Sequence, residues 1–285
     1  MKFCKYQGTG NDFIVTDGMA DGDVYSRERI RSACDRHFGV GADGFIAAVP
    51  SGCADVRMAF YNSDGSRASM CGNGIRCFAK FVRDHGIVKS DIFTVETGDG
   101  IRHVTVVKTA GKRSEVRVDM GAAAPFRIVR SGSNSGFCTG AESAKESEES
   151  GPIYATHLGV PHAVLFFGSG PQAEAMAQLD GRALRDGAKI EHAPEFQPSG
   201  TNVNFVSIAD TGHILCSTWE RGAGKTLACG TGACSAAAAA RRFMGCGDEI
   251  RVTMPGGDVT VSFSEDGTAF MQGPAVLICS GDLEE

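Results

Sequence analysis

An internal repeat constrains this chain more than any other feature of its sequence. When Cys71 is aligned with Cys229 without gaps, the segment RMAFYNSDGSRASMCGNG falls on LCSTWERGAGKTLACGTG. Each copy reads as a strand, a glycine-containing loop, a Cys-Gly-x-Gly sequence and the start of a helix. Self-similarity of this kind is the signature of a duplicated structural unit. The repeat therefore predicts an α/β fold in two related halves, with one equivalent site in each.

Apolar residues recur at helical intervals after both cysteines. From Ile75 to Val82 they follow a 3.6-residue period, and Gly86 closes the predicted helix; GTGACSAAAAARRFM begins the second. Two further helices are predicted, YSRERIRSACDRHFG with Gly39 as its C-cap, and PQAEAMAQLDGRALR. Both cysteines are thus predicted at the N-terminal edge of a helix.

The rest of the chain reads mainly as strands. They are predicted at residues 3–6 and 13–16, at FIAAVP and VRMAFYN, as hairpins over 92–119, as one strand at THLGVPHAVLFF, and at NVNFVSIA, ILCSTWE, EIRVTMP, DVTVSFS and AVLIC. The segment GAAAPF places a domain boundary after residue 121. AESAKESEES, residues 141–150, has nothing to bury and predicts a mobile loop.

Charge and the N-terminus exclude several classes of protein. The 28 Lys and Arg against 34 Asp and Glu give a net charge of -6, without the basic excess that nucleic-acid binding demands. The first residues, MKFCKYQGTGNDFIV, are interrupted by Lys5, Gln7, Asn11 and Asp12, so they form neither a signal peptide nor a membrane span. The sequence predicts a cytoplasmic protein with no nucleic-acid or membrane partner.

Familiar nucleotide and metal motifs fail on inspection. GVGADG fits G-x-G-x-x-G but follows a predicted helix and precedes a strand, the reverse of the dinucleotide-binding order. GAGKT lacks the first glycine of a phosphate-binding loop, because Trp219 stands in its place. No cysteine pair has zinc-finger spacing, and the seven histidines form no H-E-x-x-H pattern. We expect no metal and no cofactor.

The eleven cysteines are an odd number without a secretory signal, so most are expected to be reduced thiols. Nine are interpreted as small packing residues. These are Cys4, Cys34, Cys53, Cys77, Cys138, Cys216, Cys234, Cys246 and Cys279. Cys71 and Cys229 are left as the candidates for chemistry.

A thiol at a helix N-terminus faces free N–H groups and the positive end of the helix dipole, which favour the thiolate. The same N–H groups form an anion site suited to a carboxylate. If the two halves close on one amino acid, thiols on opposite faces of its Cα can exchange a proton for its mirror position. This arrangement inverts a stereocentre without pyridoxal. His162 and Glu220 are the candidates for setting the two protonation states.

The chain resembles the diaminopimelate epimerase family over essentially its whole length. The resemblance is carried, in the family's order, by GTGNDF, DRHFGVGADG, NSDGSRASMCGNGIRCFAKFV, GTNVNFV, WERGAG and LACGTGACSAAAAA. It implies two pseudo-symmetric α/β domains, each a β-barrel-like sheet around a central α-helix, with the active site in the cleft between them. The domains would be residues 1–121, joined by a returning strand at 275–285, and residues 122–274. A cofactor-free homodimer that converts LL- to meso-diaminopimelate, for lysine and peptidoglycan synthesis, is also implied.

The same resemblance assigns roles to residues. Cys71 and Cys229 would be the acid/base pair, with His162 and Glu220 beside them. Asn62, Asn202 and Arg221 would read the distal end of the substrate, where an arginine fork suits a carboxylate. The full set of implied substrate contacts is Asn11, Asn62, Gly72, Asn73, Asn202, Glu220, Arg221, Gly230 and Thr231.

One departure from the family pattern bears on the substrate. Val160 stands in GVPH where the family usually has GNPH, so a hydrogen bond to the distal group is lost. That loss leaves open a cofactor-free racemase of another amino acid, such as histidine, on the same two-cysteine core. A proline racemase or hydroxyproline epimerase is a further alternative, although its first cysteine is typically followed by Gly-His. A thiol-based redox or binding protein is the non-enzymatic one.

Overall fold

The computed structural model describes residues 1–20, 22, 25–129, 151–168 and 172–283. The chain forms two compact units, one of Met1–Met120 with Met271–Glu285 and the other of Gly121–Phe270. The predicted mobile loop at 141–150 and the predicted packing residue Cys138 lie outside the described residues.

Strands outnumber helices in the described part of the chain. The elements are β1 (Lys2–Gly8), β2 (Asn11–Asp17), α1 (Arg27–Cys34), β3 (Gly44–Val49), β4 (Val56–Asn62), β5 (Arg67–Ala68), α2 (Gly72–Asp84), β6 (Ile92–Thr97), β7 (Gly100–Ala110), β8 (Arg113–Ala122), β9 (Arg127–Val129), β10 (Ile153–Leu158), β11 (Val160–Phe167), α3 (Gln172–Glu191), a short 3-10 helix (Pro194–Phe196), β12 (Asn202–Asp210), β13 (His213–Glu220), β14 (Gly224–Lys225), α4 (Gly230–Phe243), β15 (Glu249–Met254), β16 (Gly257–Phe263) and β17 (Thr268–Asp282).

In the first unit, eight strands close into a barrel. The pairing runs β1, β2, β3, β4, β6, β7, β8 and β17, and β17 pairs back onto β1. The register of the closing pair extends from Lys2 opposite Asp282 to Gln7 opposite Val276. A closed barrel leaves no unpaired sheet edge, which explains why the last strand of the chain is needed to complete the first unit.

Helix α2 is the core of this barrel. Eleven of its thirteen residues, from Gly72 to Val82, are buried, and it contacts β1, β2, β3 and β7. The burial extends to charged residues of the helix, since Arg76 is 0% and Lys80 1% exposed. Cys71 is the N-cap of this helix, in an extended conformation, and Gly86 follows the helix end with φ 68°. The helix that the sequence predicted after the first cysteine is confirmed.

The second unit repeats this strand pairing. In the first unit β2 and β3 are parallel neighbours joined through α1, β3 and β4 are antiparallel, and β4 pairs in parallel with β6. In the second unit β11 and β12 are parallel neighbours joined through α3, β12 and β13 are antiparallel, and β13 pairs in parallel with β15. Helix α4 contacts β10, β11, β12, β13, β15 and β16. The predicted fold class, duplicated α/β units each with a sheet around a central helix, is confirmed.

Two local predictions were wrong. Helix α1 ends at Cys34, and Gly39 is not its C-cap. A Cβ on Gly39 would lie 2.1 Å from the Ser32 carbonyl oxygen, so glycine is required there for close approach to the helix backbone. THLGVPHAVLFF forms two strands, β10 and β11, which turn at Gly159 with φ 70°.

The interpretation of nine cysteines as packing residues was wrong for two of them. Cys53 and Cys279 are exposed, because Cys53 follows β3 in a surface turn and Cys279 lies near the end of β17. The ten cysteines in the described part of the chain are all free thiols.

Candidate active site

The first candidate cysteine is held by the helix that it caps. The Gly74 N–H donates to the Cys71 Sγ at 3.3 Å, and that sulfur lies 3.7 Å from Asn11 Oδ1. Asn11 is itself fixed by donating from Nδ2 to Asp43 Oδ2 at 2.8 Å. The Gly74 N–H and the helix N-terminus favour a thiolate at Cys71, whereas its bond to the Asn11 oxygen, in which the thiol is the donor, favours the protonated form.

Beside this cysteine, a buried arginine orients the next side chain. Arg76 is 0% exposed and donates to Asn73 Oδ1 at 3.1 Å and to Thr9 Oγ1 at 3.0 Å. Thr9 also donates to Asn73 Oδ1 at 3.3 Å. Two donors on one oxygen fix which way the Asn73 amide faces. Arg76 reaches the carbonyl of Pro274 on β17 as well, so the closing strand supports the same network.

The second candidate cysteine is more deeply buried. Cys229 is 5% exposed at the N-terminus of α4, and its Sγ lies 3.5 Å from Thr231 Oγ1. Burial raises the pKa of this thiol well above its usual value, and the charge of Glu220 raises it further, against opposing hydrogen bonds from Thr231 and the Gly232 N–H. Cys229 is therefore a neutral thiol near pH 7. Glu220 is fixed by accepting a 2.6 Å hydrogen bond from Thr226.

His162 lies on β11, inside the second unit, and is 0% exposed. Burial lowers its pKa to about 3, with smaller contributions from the charges of His157 and Arg221. Across the parallel pair it stands opposite Asn202 on β12. Asn202 Oδ1 accepts a 2.8 Å bond from the Arg221 backbone N–H, and the Arg221 guanidinium donates to the Ser199 carbonyl at 2.6 Å. These contacts group three of the predicted residues at one end of β11, β12 and β13.

Most of the predicted residues fall into local groups. Asn11, Cys71, Gly72 and Asn73 lie together at the start of α2 in the first unit. Asn62 is instead bound into the exposed turn after β4, where its Nδ2 donates to Ser66 Oγ at 3.0 Å. The second unit groups Glu220, Cys229, Gly230 and Thr231 at the start of α4, and His162, Asn202 and Arg221 beside one another.

Three supporting residues escaped sequence reasoning: Arg76, Asn204 and Thr226. Only Asn204 carried a usable signal, because NVN puts Asn202 and Asn204 two residues apart on a strand and therefore on one face.

Over the residues that the structure describes, there is no cluster of three or more His, Cys, Asp or Glu side chains able to hold a metal ion. The described helices include none with the length and apolar character to cross a bilayer.

Solved structures share this fold at low sequence identity. A protein described as a predicted epimerase, from Pseudomonas aeruginosa, is 16% identical with a TM-score of 0.70, covering 100% of this chain and 99% of that one. A hydroxyproline epimerase from Agrobacterium vitis is 15% identical with a TM-score of 0.63, covering 99% and 91%. A phenazine biosynthesis protein of the PhzF family from Bacillus anthracis is 15% identical with a TM-score of 0.65, covering 100% and 99%.

Sequence relatives are much more similar. The diaminopimelate epimerase of Alkaliphilus metalliredigens is 42% identical over 285 residues, covering 99% of this chain and 96% of the relative. That of Desulfovibrio desulfuricans is 38% identical over 292 residues, covering 99% and 98%. The model of the family described as Diaminopimelate epimerase matches residues 3–125 and 154–278.

Together with the duplicated fold and its two cysteine-capped helices, these relatives define the class of the protein, which is an isomerase of the epimerase type. The family match extends over most of the chain and both candidate cysteines. The chain belongs to the diaminopimelate epimerase family.

Proposed function

We propose that this enzyme interconverts LL- and meso-diaminopimelate without a cofactor, using Cys71 and Cys229 as its two acid/base groups. The observation that carries the proposal is the pair of helix N-termini, each capped by a cysteine and followed by Gly-x-Gly, in a chain of this family. A racemising site needs two groups that can hold a proton, one for each face of the Cα. The repeat supplies them in equivalent positions.

The proton transfers balance with these two thiols alone. The Cys71 thiolate takes the proton from Cα, and the electron pair of the broken C–H bond remains on the substrate as a carbanion. The Cys229 thiol then gives its proton to the opposite face, which restores a neutral Cα and leaves Cys229 as thiolate. The reverse reaction uses the two groups in opposite roles. Before another forward turnover, Cys71 releases its proton to water and Cys229 takes one up from water, which restores the starting protonation states.

Stabilisation of the carbanion is assigned to the helix starts. The first N–H groups of a helix have no acceptor within it and present partial positive charge. We assign those of Gly72, Asn73, Gly230 and Thr231 to the α-carboxylate of the substrate, where negative charge grows as the proton leaves. The raised pKa of Cys229 supports its role as the acid for this direction.

The distal, non-reacting end of the substrate is assigned to Asn62, Asn202 and Arg221. Arg221 is exposed, and its backbone N–H holds Asn202. A guanidinium offers two parallel donors to a carboxylate. The distal end of diaminopimelate carries such a carboxylate, whereas the side chain of histidine does not. This chemistry favours a substrate with a second amino acid group over the alternative racemase.

The test is proton exchange and inversion measured on the same samples. Reduced protein is incubated in D₂O with LL-diaminopimelate and, separately, with histidine, glutamate, lysine and proline; NMR follows Cα–H exchange, and chiral chromatography follows inversion. We expect exchange and inversion with diaminopimelate alone. Exchange with another amino acid only would keep the chemistry and replace the substrate, and no exchange with any would refute the epimerase.

Variants test the two-thiol mechanism. Cys71→Ala and Cys229→Ala are each expected to lower the rate of inversion by about 10²–10⁴-fold, since each removes one proton-transfer group. The matched controls are Cys77→Ala and Cys234→Ala, because these cysteines are buried in the interiors of α2 and α4. The controls should keep the activity of the folded enzyme. Inversion at the normal rate in either of the first two variants would contradict the mechanism.

We further propose that the enzyme works as a cytoplasmic homodimer, with the two compact units as its two domains and a small amino acid as its only reaction partner. This part rests on the family resemblance. Size-exclusion chromatography with light scattering measures the molar mass directly. A mass of one chain over the working concentration range would contradict the dimer.

A further inference from the structure

A buried hydrogen-bond network joins three neighbouring strands of the second unit, β11, β12 and β13. Asn204 on β12 is 0% exposed and makes three hydrogen bonds. Its Nδ2 is 3.1 Å from the Ala163 carbonyl oxygen and 3.2 Å from His162 Nδ1, both on β11. Its Oδ1 accepts from Thr218 Oγ1, on β13, at 3.0 Å. The amide thus links a backbone group, a hydroxyl and an imidazole.

The direction of the Asn204 amide follows from its partners. A backbone carbonyl only accepts hydrogen bonds, so the atom facing Ala163 must be the NH₂ group. The amide oxygen then faces the Thr218 hydroxyl, which can donate to it. The reversed amide would set two oxygens 3.1 Å apart in a buried site.

The orientation of the Asn204 amide determines which ring nitrogen of His162 carries the proton. The second hydrogen of the Asn204 NH₂ group points at His162 Nδ1, so Nδ1 must accept and carries no proton. A neutral imidazole with an accepting Nδ1 has its proton on Nε2. Nε2 is buried and has no hydrogen-bond partner among the described residues. A buried N–H without a partner is unusual in a folded protein and indicates an acceptor that comes from elsewhere.

We infer that Asn204 is a positioning residue that holds His162 as a neutral imidazole with its proton on Nε2, so that His162 acts as a hydrogen-bond donor and not as a base. The inference rests on the proposed function, because the acceptor for Nε2–H would be an anionic group of the reacting complex. It assigns the proton-removing role to the thiols alone. It also gives a reason for an asparagine at residue 204, where an acidic residue would have the opposite effect.

The electrostatic surroundings of His162 also favour its neutral form. His157 on β10 and Arg221 after β13 act electrostatically on His162, and both disfavour a positive charge on its ring. On β12 its neighbours Asn202 and Asn204 are neutral. The side chain therefore stays neutral over the whole range in which the enzyme would work.

The test uses protein labelled with ¹⁵N in its histidine rings. Two-bond ¹H–¹⁵N spectra distinguish a protonated from an unprotonated ring nitrogen, and His162→Gln assigns the signals. We expect His162 to be protonated on Nε2 and bare on Nδ1 from pH 5 to 9. His213 is an internal control, because Arg251 donates to its Nδ1 at 3.0 Å and its Nε2 is 2.9 Å from Thr253 Oγ1. Its tautomer should be the same and should not respond to changes at residue 204.

Two variants distinguish a positioning role of Asn204 from an effect on protein stability alone. In Asn204→Asp a carboxylate faces Nδ1, so the proton should move to Nδ1 and a new inflection between pH 5 and 8 should enter the kcat/KM profile. We expect at least about a tenfold loss of kcat/KM at pH 8. Thr218→Val removes the donor to Asn204 Oδ1 and the contact of the same hydroxyl with Cys216 Sγ. It should lower stability and leave the tautomer unchanged, because the Ala163 carbonyl still orients the amide.

The outcomes are distinct. His162 protonated on Nδ1, or doubly protonated at pH 7, in the unaltered protein would overturn the inference even if Asn204→Asp does not fold. An unchanged tautomer in folded Asn204→Asp would overturn it as well. An inactive protein that shows the expected tautomer would instead count against the proposed function only, since the NMR measurement does not depend on turnover.

Discussion

Replacing Gly232 by alanine tests how tightly the start of α4 is packed against the buried Asn204 amide and its hydrogen-bond network. A Cβ at this position would lie 2.4 Å from Asn204 Oδ1, well inside van der Waals contact. It would also lie 3.3 Å from the Cys229 Sγ. The Asn204 oxygen cannot move away freely, because that amide is bonded to three partners.

The expected cost follows from these bonds. Moving the Asn204 amide disrupts buried hydrogen bonds, at about 1–3 kcal/mol when polar groups are left unsatisfied. The alanine recovers at most about 1 kcal/mol through its better helix propensity. We therefore expect Gly232→Ala to lower the free energy of unfolding by up to about 3 kcal/mol, equivalent to a Tm decrease of up to roughly 10 °C.

Gly74 is the matched control, because it occupies the equivalent position after Cys71. A Cβ there would meet the Ile46 Cδ1 methyl at 3.2 Å and the Cys71 Cβ at 3.3 Å, and no polar atom is among its nearest neighbours. A terminal methyl group can shift by a few tenths of an ångström. The Gly74→Ala variant should remain within about 1 kcal/mol of the parent, since its helix propensity offsets the closer packing.

Urea denaturation of the parent and both variants, followed by circular dichroism, measures the difference. The same samples, labelled with ¹⁵N-histidine, show whether His162 keeps its proton on Nε2 in Gly232→Ala. If that variant were as stable as Gly74→Ala and its tautomer were unchanged, the contact between α4 and Asn204 would not be the constraint described here.

Three further predictions concern charge and substrate. Glu220→Gln removes a negative charge from beside Cys229, so the pKa of that thiol should fall and its alkylation by iodoacetamide should begin at lower pH; an unchanged pH profile would contradict the role of Glu220. Because burial lowers the pKa of His162 to about 3, its contribution to stability is fully present above about pH 6.5 and is lost as the pH falls towards 3. The difference in free energy of unfolding between the parent and His162→Gln should therefore shrink by about 1.4 kcal/mol per pH unit across that window, and a constant difference would refute it. Val160→Asn should lower the KM for diaminopimelate by about 5–150-fold if it restores one polar contact worth about 1–3 kcal/mol; no change would show that the lost contact is immaterial.

The repeated Cys-Gly-x-Gly segment made the two central helices and their cysteines predictable. Its signal is local, because the glycines, the cap and the helical period all lie within a few residues of one another. The end of α1 was mispredicted for the opposite reason. Gly39 resembles a C-cap in the sequence. A glycine is required there for another reason, because the chain turns back after the helix and brings residue 39 against the backbone of Ser32 and Ala33.

The supporting contacts of the site depend on long-range pairing and could not be predicted from local patterns. Asn204 meets His162 only because β11 and β12 are parallel neighbours, and the chain between them includes the whole of α3. Arg76 looks like any polar residue in a helix, and only the closed barrel shows that it is fully buried. Sequence patterns identified the two candidate cysteines, whereas the electrostatic surroundings of those cysteines could be seen only in the fold.

The closing strand β17 sets an order for the synthesis of this protein. It begins in the second unit and pairs with β1 and β8 in the first, so everything from β9 to β16 leaves the ribosome before the strand that seals the first barrel. Until then β1 and β8 present unpaired backbone to the solvent and to other nascent chains. The first unit is therefore synthesised first but completed last, and its folding depends on translation of β17.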